Sequence, residues 1–183
     1  MTKSASEFDL RDFVEKVGAE LAAEDQILRK AFAARGCIGG LHRNFNERYF
    51  QFIVWRAAVV DWDAKVEIAY QDLVLSDAED IPSFAVIEMK TYGSANGQRE
   101  IKPIKGDLAK LIGTSLSVAV MMIFSINPRG STENNLDLLQ ADTELHFKER
   151  HHFKFETLTT ARDEVEFWVA GWLIKDDRYN RDI

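Results

Sequence analysis

The chain has a single cysteine, Cys37, in 183 residues, so it forms no internal disulfide and builds no cysteine-rich zinc site. No apolar run approaches the roughly 18 residues of a membrane helix, which points away from a membrane partner. The first seven residues lack the apolar stretch of a signal peptide, and a reducing cytoplasm is the expected location. A glycine-rich phosphate loop is missing too, because Gly39-Gly40 precedes no strand-to-helix junction. There is no Gly-x-Ser-x-Gly elbow, and no motif marks Cys37 as a nucleophile, so a packed thiol is expected there. His146, His151 and His152 lie near one another without the ligand spacing of a zinc site. Positive charge is in short supply: 23 Lys and Arg face 30 Asp and Glu, a net charge of −7. That argues against a broad phosphate-binding surface while leaving room for a local basic strip, or for acids gathered around a metal.

Apolar mass is plentiful. At 46% hydrophobic, with 4 Trp and 12 Phe, the chain suits one domain with a substantial core. Residues 7–34 read as an amphipathic helix, with Val14, Val17, Leu21, Leu28 and Phe32 at helical spacing, closed by the glycines at 36–40. A second helix is expected over 44–60, with Asn44 or Asn46 as its cap and Phe45, Tyr49, Phe52, Arg56 and Val59 as its stripe. Strands are expected over 65–75 and 83–90, a loop over 91–99, and a helix over 102–113 with Pro103 in its first turn. Residues 117–126 form an apolar run that suits a strand buried on both faces. A short helical or loop piece near 132–140 and a hairpin of 144–156 with 163–175 complete the chain, and the tail from Asp176 is polar.

The chemistry-bearing part lies between residues 66 and 90. Asp72 stands on the first apolar strand, and Phe84-Ala85-Val86-Ile87-Glu88-Met89-Lys90 forms the second. Side chains alternate along a strand, so Glu88 and Lys90 point one way and Ile87 and Met89 the other. Charges inside such strands are costly unless a partner or a metal compensates them. A salt-bridge cluster on a half-exposed hairpin is the plainer reading, but the residues between the charges are apolar, so neither face reads as solvated.

An acidic residue on one strand followed by Glu-x-Lys on the next resembles the motif of the PD-(D/E)XK nuclease superfamily. Asp72 matches its first element and Glu88-Met89-Lys90 its second, although Gln71 stands where the name-giving proline would be. The resemblance implies an α/β, restriction-endonuclease-like mixed sheet flanked by helices. Residues 43–127 would be its core, 1–42 an N-terminal helical extension, and 128–183 a C-terminal hairpin added to the same domain. The helix, strand, strand, helix, strand order leaves one early strand missing, unless residues 61–72 bend into two. It further implies a metal-dependent nuclease acting on phosphodiester bonds, DNA before RNA. Asp72, Glu88 and the Met89 carbonyl would bind magnesium, with manganese able to substitute, and Lys90 would assist the attacking water. Glu47 would complete the catalytic set, with Glu20, Glu24 and Glu67 as competitors for that place. The alternative within the same fold is a catalytically inactive binding or regulatory protein acting in a complex.

Basic residues offer two routes to a phosphate backbone. Lys102, Lys105 and Lys110 lie on the helix after the motif, although Asp107 and Lys110 read first as an exposed helical ion pair. In the C-terminal hairpin Leu145, Phe147, Phe153 and Phe155 share one parity, while His146, Lys148, Arg150, His152 and Lys154 share the other as a basic ladder. The strand after it is apolar on both sides, with Trp168, Trp172 and Ile174 opposite Phe167 and Val169. Such a strand is either central or covered by a second copy or another protein.

Overall fold

The computed structural model of the chain describes residues 3–68, 71–93, 97–144, 146–159 and 163–178. After a short 3-10 turn at Ala5–Glu7 comes helix α1, Leu10–Ala33, whose N-terminus is capped by Asp9 accepting from the Asp12 amide. Its buried stripe of Leu10, Phe13, Val14, Val17 and Leu21 follows the helical period, and Gly36, at φ 68°, ends it in a left-handed turn. Cys37, expected to be packed, is exposed there.

Helix α2, Glu47–Ala58, begins at Asn46, whose side chain accepts from the Tyr49 amide; the Asn44 side chain lies outside the description. Its inward face is Phe50, Ile53, Val54 and Ala57 rather than the expected stripe, and Phe52 and Val59 are exposed. The helix is apolar most of the way round, so two faces compete in the sequence and packing decides.

The segment expected as one strand over 65–75 is two: β1, Asp63–Ile68, and β2, Gln71–Ser76, paired antiparallel from Asp63↔Ser76 to Ile68↔Gln71. Residues 69 and 70 lie outside the described residues. β2 pairs antiparallel with β3, Ala85–Gly93, through Leu73↔Ile87, Val74↔Val86 and Leu75↔Ala85, the pairing expected of the 66–90 segment. Helix α3, Gly97–Gly113, crosses to β4, Val118–Pro128, which runs parallel to β3. α3 starts earlier than expected, at the end of the anticipated 91–99 loop, so Pro103 is inside it rather than in its first turn, and residues 94–96 are outside the description.

Helix α4, Thr132–Thr143, leads to β5, Glu149–Leu158, and β6, Glu164–Asp176; Leu145 and the tail from 179 lie outside the described residues. The result is an α/β fold with one mixed six-stranded sheet in the order β1-β2-β3-β4-β6-β5, flanked by helices. The hairpin extends the same sheet, β6 pairing with β4 along its length from Val118↔Asp176 to Pro128↔Val165.

Alternation along the central strands builds two apolar layers. Ile87, Met89, Val120, Met122, Phe124, Phe167 and Val169 face α1 and α2. Val86, Tyr92, Met121, Ile123, Trp168 and Trp172 join Ile104, Leu108 and Leu111 of α3 and Leu136 and Leu139 of α4. Each fully buried large side chain contributes about 1.5–3 kcal/mol by removal from water, so the layers together hold the sheet between its helices. Trp168 and Trp172 are 0% exposed in the single chain, which makes β6 central and removes its tryptophan face as a surface for a second copy or another protein. No described helix is long and apolar enough to cross a membrane.

Candidate active site

One register step beyond Leu73↔Ile87, Asp72 of β2 reaches the level of Glu88 on β3. Asp72 Oδ2 accepts the Met89 amide over 2.7 Å, and the Asp72 carbonyl accepts from Gln51 Nε2 of α2 over 2.9 Å. The aspartate is thereby fixed from both its side chain and its backbone. Glu88 and Lys90 share the parity of Val86 and Tyr92, so both leave β3 on the α3 side.

The Lys90 ammonium is the hub. It lies 3.0 Å from Glu47 Oε1, 3.0 Å from Asp107 Oδ2 and 4.0 Å from Asp72 Oδ2, and it donates to the Met89 carbonyl over 2.9 Å. Glu47 stands in the first turn of α2, where the helix dipole favours a carboxylate. Asp107, on α3, also receives Lys110 one turn further on, at 2.5 Å. Burial opposes the charge on Lys90, but hydrogen bonds and attraction from Glu47 and Asp107 prevail and hold its pKa above the ordinary lysine value.

Glu88 behaves in the opposite way. It is 2% exposed, and its Oε1 has no hydrogen-bond partner among the described residues. Burial first, then repulsion from Asp72 and Asp107, pushes its carboxyl from 4.5 up to about 8, against the attraction of Lys110 and Lys90.

The four catalytic candidates, Glu47, Asp72, Glu88 and Lys90, therefore come together from α2, β2 and β3, and the Met89 carbonyl faces the same cluster. Asp107 and Lys110 were expected to be an exposed helical pair. Instead Asp107 is 6% exposed and belongs to the cluster. Its position beside Ile104, Leu108 and Leu111 on the apolar side of α3 is the sequence signal that marks it. Gln51, which holds Asp72, carries no such signal. Of the competitors for the place of Glu47, Glu20 and Glu24 are engaged with Arg56, and Glu24 also accepts from Tyr49. The Glu67 side chain lies outside the described residues.

The basic candidates separate into two groups. Lys102 and Lys105 are exposed on α3, Lys105 pairing with Glu144 at 3.1 Å. The β5 ladder is turned to a structural use: Arg150 bonds Asp137 and Gln140, His152 pairs with Glu133, and Lys154 with Glu166. Lys148 donates to the Asp176 carbonyl. β5 is the far edge of the sheet, three strands from β3 and so roughly 14 Å away at ordinary strand spacing. Lys148, Arg150 and Lys154 thus fasten β5 to its neighbours instead of flanking the carboxylates.

Among the described residues no group of three or more His, Cys, Asp or Glu side chains is gathered as a ready ion cage. Magnesium does not require one, since one or two carboxylates with water and substrate oxygens hold it. The donor set suits such an ion. The oxygens are hard, four carboxylates face two ammonium groups, and one buried carboxylate oxygen lacks a partner. No family model, curated protein or solved structure matches this chain.

Proposed function

We propose that this protein is a metal-dependent nuclease of the restriction-endonuclease-like fold, hydrolysing phosphodiester bonds, with DNA as its polymer. The observation that carries the reading is the convergence of Glu47 of α2, Asp72 of β2, and Glu88 and Lys90 of β3 onto one ammonium-centred cluster. The order of elements supports it as well, because the split of 63–76 into β1 and β2 supplies the third strand of the helix, three strands, helix, strand core that the motif resemblance implies.

Asp72 and Glu88, with the Met89 carbonyl, are the groups that would hold magnesium, or manganese in its place. The ion, when bound, would supply a more acidic water and positive charge at the scissile phosphate. Lys90 donates hydrogen bonds from a fixed ammonium, kept charged by Glu47 and Asp107, and so suits holding a water or a phosphate oxygen. Glu88, with its carboxyl near 8, exchanges a proton close to neutral pH and is ready to lose it when positive charge arrives. Lys102 and Lys105, exposed on α3, are suited to the phosphate backbone.

One observation favours a second reading. Lys90 already donates its hydrogen bonds to Glu47, Asp107 and the Met89 carbonyl, and a closed ion network of this kind also serves a catalytically inactive binding protein of the same fold. The excess of carboxylates over ammonium groups weighs towards the enzyme. Labelled single-stranded, duplex and branched DNA, incubated with wild type and Lys90→Ala in magnesium, manganese or EDTA, tests the choice. Metal-dependent cutting that is lost in the variant is expected; a folded wild type that cuts nothing under any condition supports the binding protein.

A further inference from the structure

Helix α2 presents two adjacent stripes. Glu47 and Gln51 turn towards the carboxylate cluster, while Arg48, Phe52 and Trp55 lie one position round at helical spacing. This second stripe and Val66 of the edge strand β1 line a groove of about 270 Å³, to which Gln51 also contributes. Phe52 is 52% and Val66 42% exposed, an apolar surface that the fold does not cover. The Trp55 ring is held by its indole N–H donating to the Ala64 carbonyl over 2.9 Å, and it lies 5.7 Å from the Phe52 ring at 33°. Arg48, exposed at the rim, enters no ion pair among the described residues.

We infer that this groove receives an unpaired base of a nucleic-acid strand whose backbone passes the carboxylate cluster. The inference rests on the nuclease reading. A fixed indole and an open phenyl ring offer π faces on which any base stacks, and a guanidinium at the rim suits the adjoining phosphate. Continuity with the site favours this occupant: Gln51 lines the groove and also donates to the Asp72 backbone carbonyl, so the groove shares a residue with the carboxylate cluster. The enzyme then acts on strands with an unpaired nucleotide next to the cut, in preference to blunt, fully paired duplex.

Trp55 gives a direct readout, because Trp62, Trp168 and Trp172 are buried at 3%, 0% and 0% exposure while Trp55 lines the groove. Titration with a short unpaired DNA oligonucleotide, with calcium as the divalent ion, should quench tryptophan emission, and Trp55→Phe should abolish the quench. Phe52→Ala should weaken binding on the order of tenfold, the usual loss of one base–aromatic stack, and Phe52→Trp should restore it. Because Phe52 is exposed, these variants are expected to fold. Unchanged affinity in Phe52→Ala overturns the inference, and so does a changed sedimentation coefficient, which would make the groove a contact between copies. Cleavage is scored separately. Cutting with a Phe52-independent affinity removes the groove and leaves the nuclease. Phe52-dependent binding without cutting removes the nuclease and leaves the groove, and absence of any nucleic-acid binding removes both.

Discussion

Lys90 Nζ lies 3.0 Å from Asp107 Oδ2, tying the third strand of the sheet to the helix that follows it. The lysine is thereby placed by an element lying beyond the Glu88-Met89-Lys90 triplet, and Asp107 acts on it as a positioning residue. Asp107→Ala leaves Lys90 with Glu47 and Asp72, so the expected loss is about 1–3 kcal/mol, less than for stranding a buried charge completely. Urea denaturation reads the stability. A kcat-against-KM comparison separates position from folding: kcat for metal-dependent cutting should fall in Asp107→Ala with KM little changed, and recover in part in Asp107→Glu. An unchanged kcat would mean that the pair only packs α3 on the sheet.

Magnesium should stabilise the wild type through Asp72 and Glu88. At a concentration a hundred times the dissociation constant, binding to the folded state alone is worth about 2.7 kcal/mol. Asp72→Ala also deprives the Met89 amide of its acceptor, so the variant begins roughly 1 kcal/mol less stable without metal. The informative quantity is therefore the magnesium-induced rise in Tm, expected in the wild type and absent in Asp72→Ala. Equal rises in both proteins would place the ion elsewhere.

Glu88 makes the metal-free protein less stable as pH rises. Its carboxyl titrates at about 8 when folded and at the ordinary 4.5 when unfolded, so between these values the folded state holds a proton that the unfolded state has released. That contribution is fully present below about pH 4.5 and is lost as pH climbs through 8, at a cost of a few kcal/mol at most. Thermal melts in EDTA from pH 5 to 9 should show a decline that Glu88→Gln flattens. A wild-type slope equal to that of Glu88→Gln would remove the buried carboxyl as its source.

Legibility in the sequence followed the locality of the signal. Ile87 and Met89 against Glu88 and Lys90 is a period-two pattern, and it named both the strand and the faces correctly. The break between β1 and β2 left no such mark, because apolar residues run through both strands and hide where the chain reverses. Asp107 reads as exposed because an aspartate three residues before a lysine on a helix ordinarily sits in water; only the sheet beneath α3 makes it buried. The β5 ladder was visible as charge, whereas the acids that receive it, Glu133 and Asp137, come from a helix whose docking the sequence does not show. Trp168 and Trp172 could be read as buried, but not by what.

The ladder carries its own prediction. Arg150 bonds Asp137 at 2.9 Å, and His152 lies 3.0 Å from Glu133 on the same helix. These acids are largely exposed, so Glu133→Gln and Arg150→Ala should each cost less than about 1 kcal/mol. Neither should change nucleic-acid affinity or its salt dependence, since a removed phosphate contact would lower the salt slope by about one. A shallower slope in Arg150→Ala, measured by fluorescence anisotropy, would return β5 to the binding surface.

Two glycines on helices should respond to alanine with opposite signs. A Cβ at Gly18 would fall inside van der Waals contact of Phe153, at the ring and also at its Cβ, so rotation of the side chain cannot clear it. Helix α1 must then lift from β5, and the overpacking costs about 1–3 kcal/mol, which outweighs alanine's helix preference of up to about 1 kcal/mol. Phe153→Ala, which removes the ring but keeps Cβ, should recover part of the loss in the double variant, as a shared contact requires. At Gly106, inside α3, a Cβ meets nothing within 4 Å, so Gly106→Ala should raise stability by roughly 0.5–1 kcal/mol. Chemical denaturation of both variants decides the matter. If Gly18→Ala were as stable as wild type, α1 could not be seated on Phe153 as described, and the layer that covers β5 and β6 would have to pack differently.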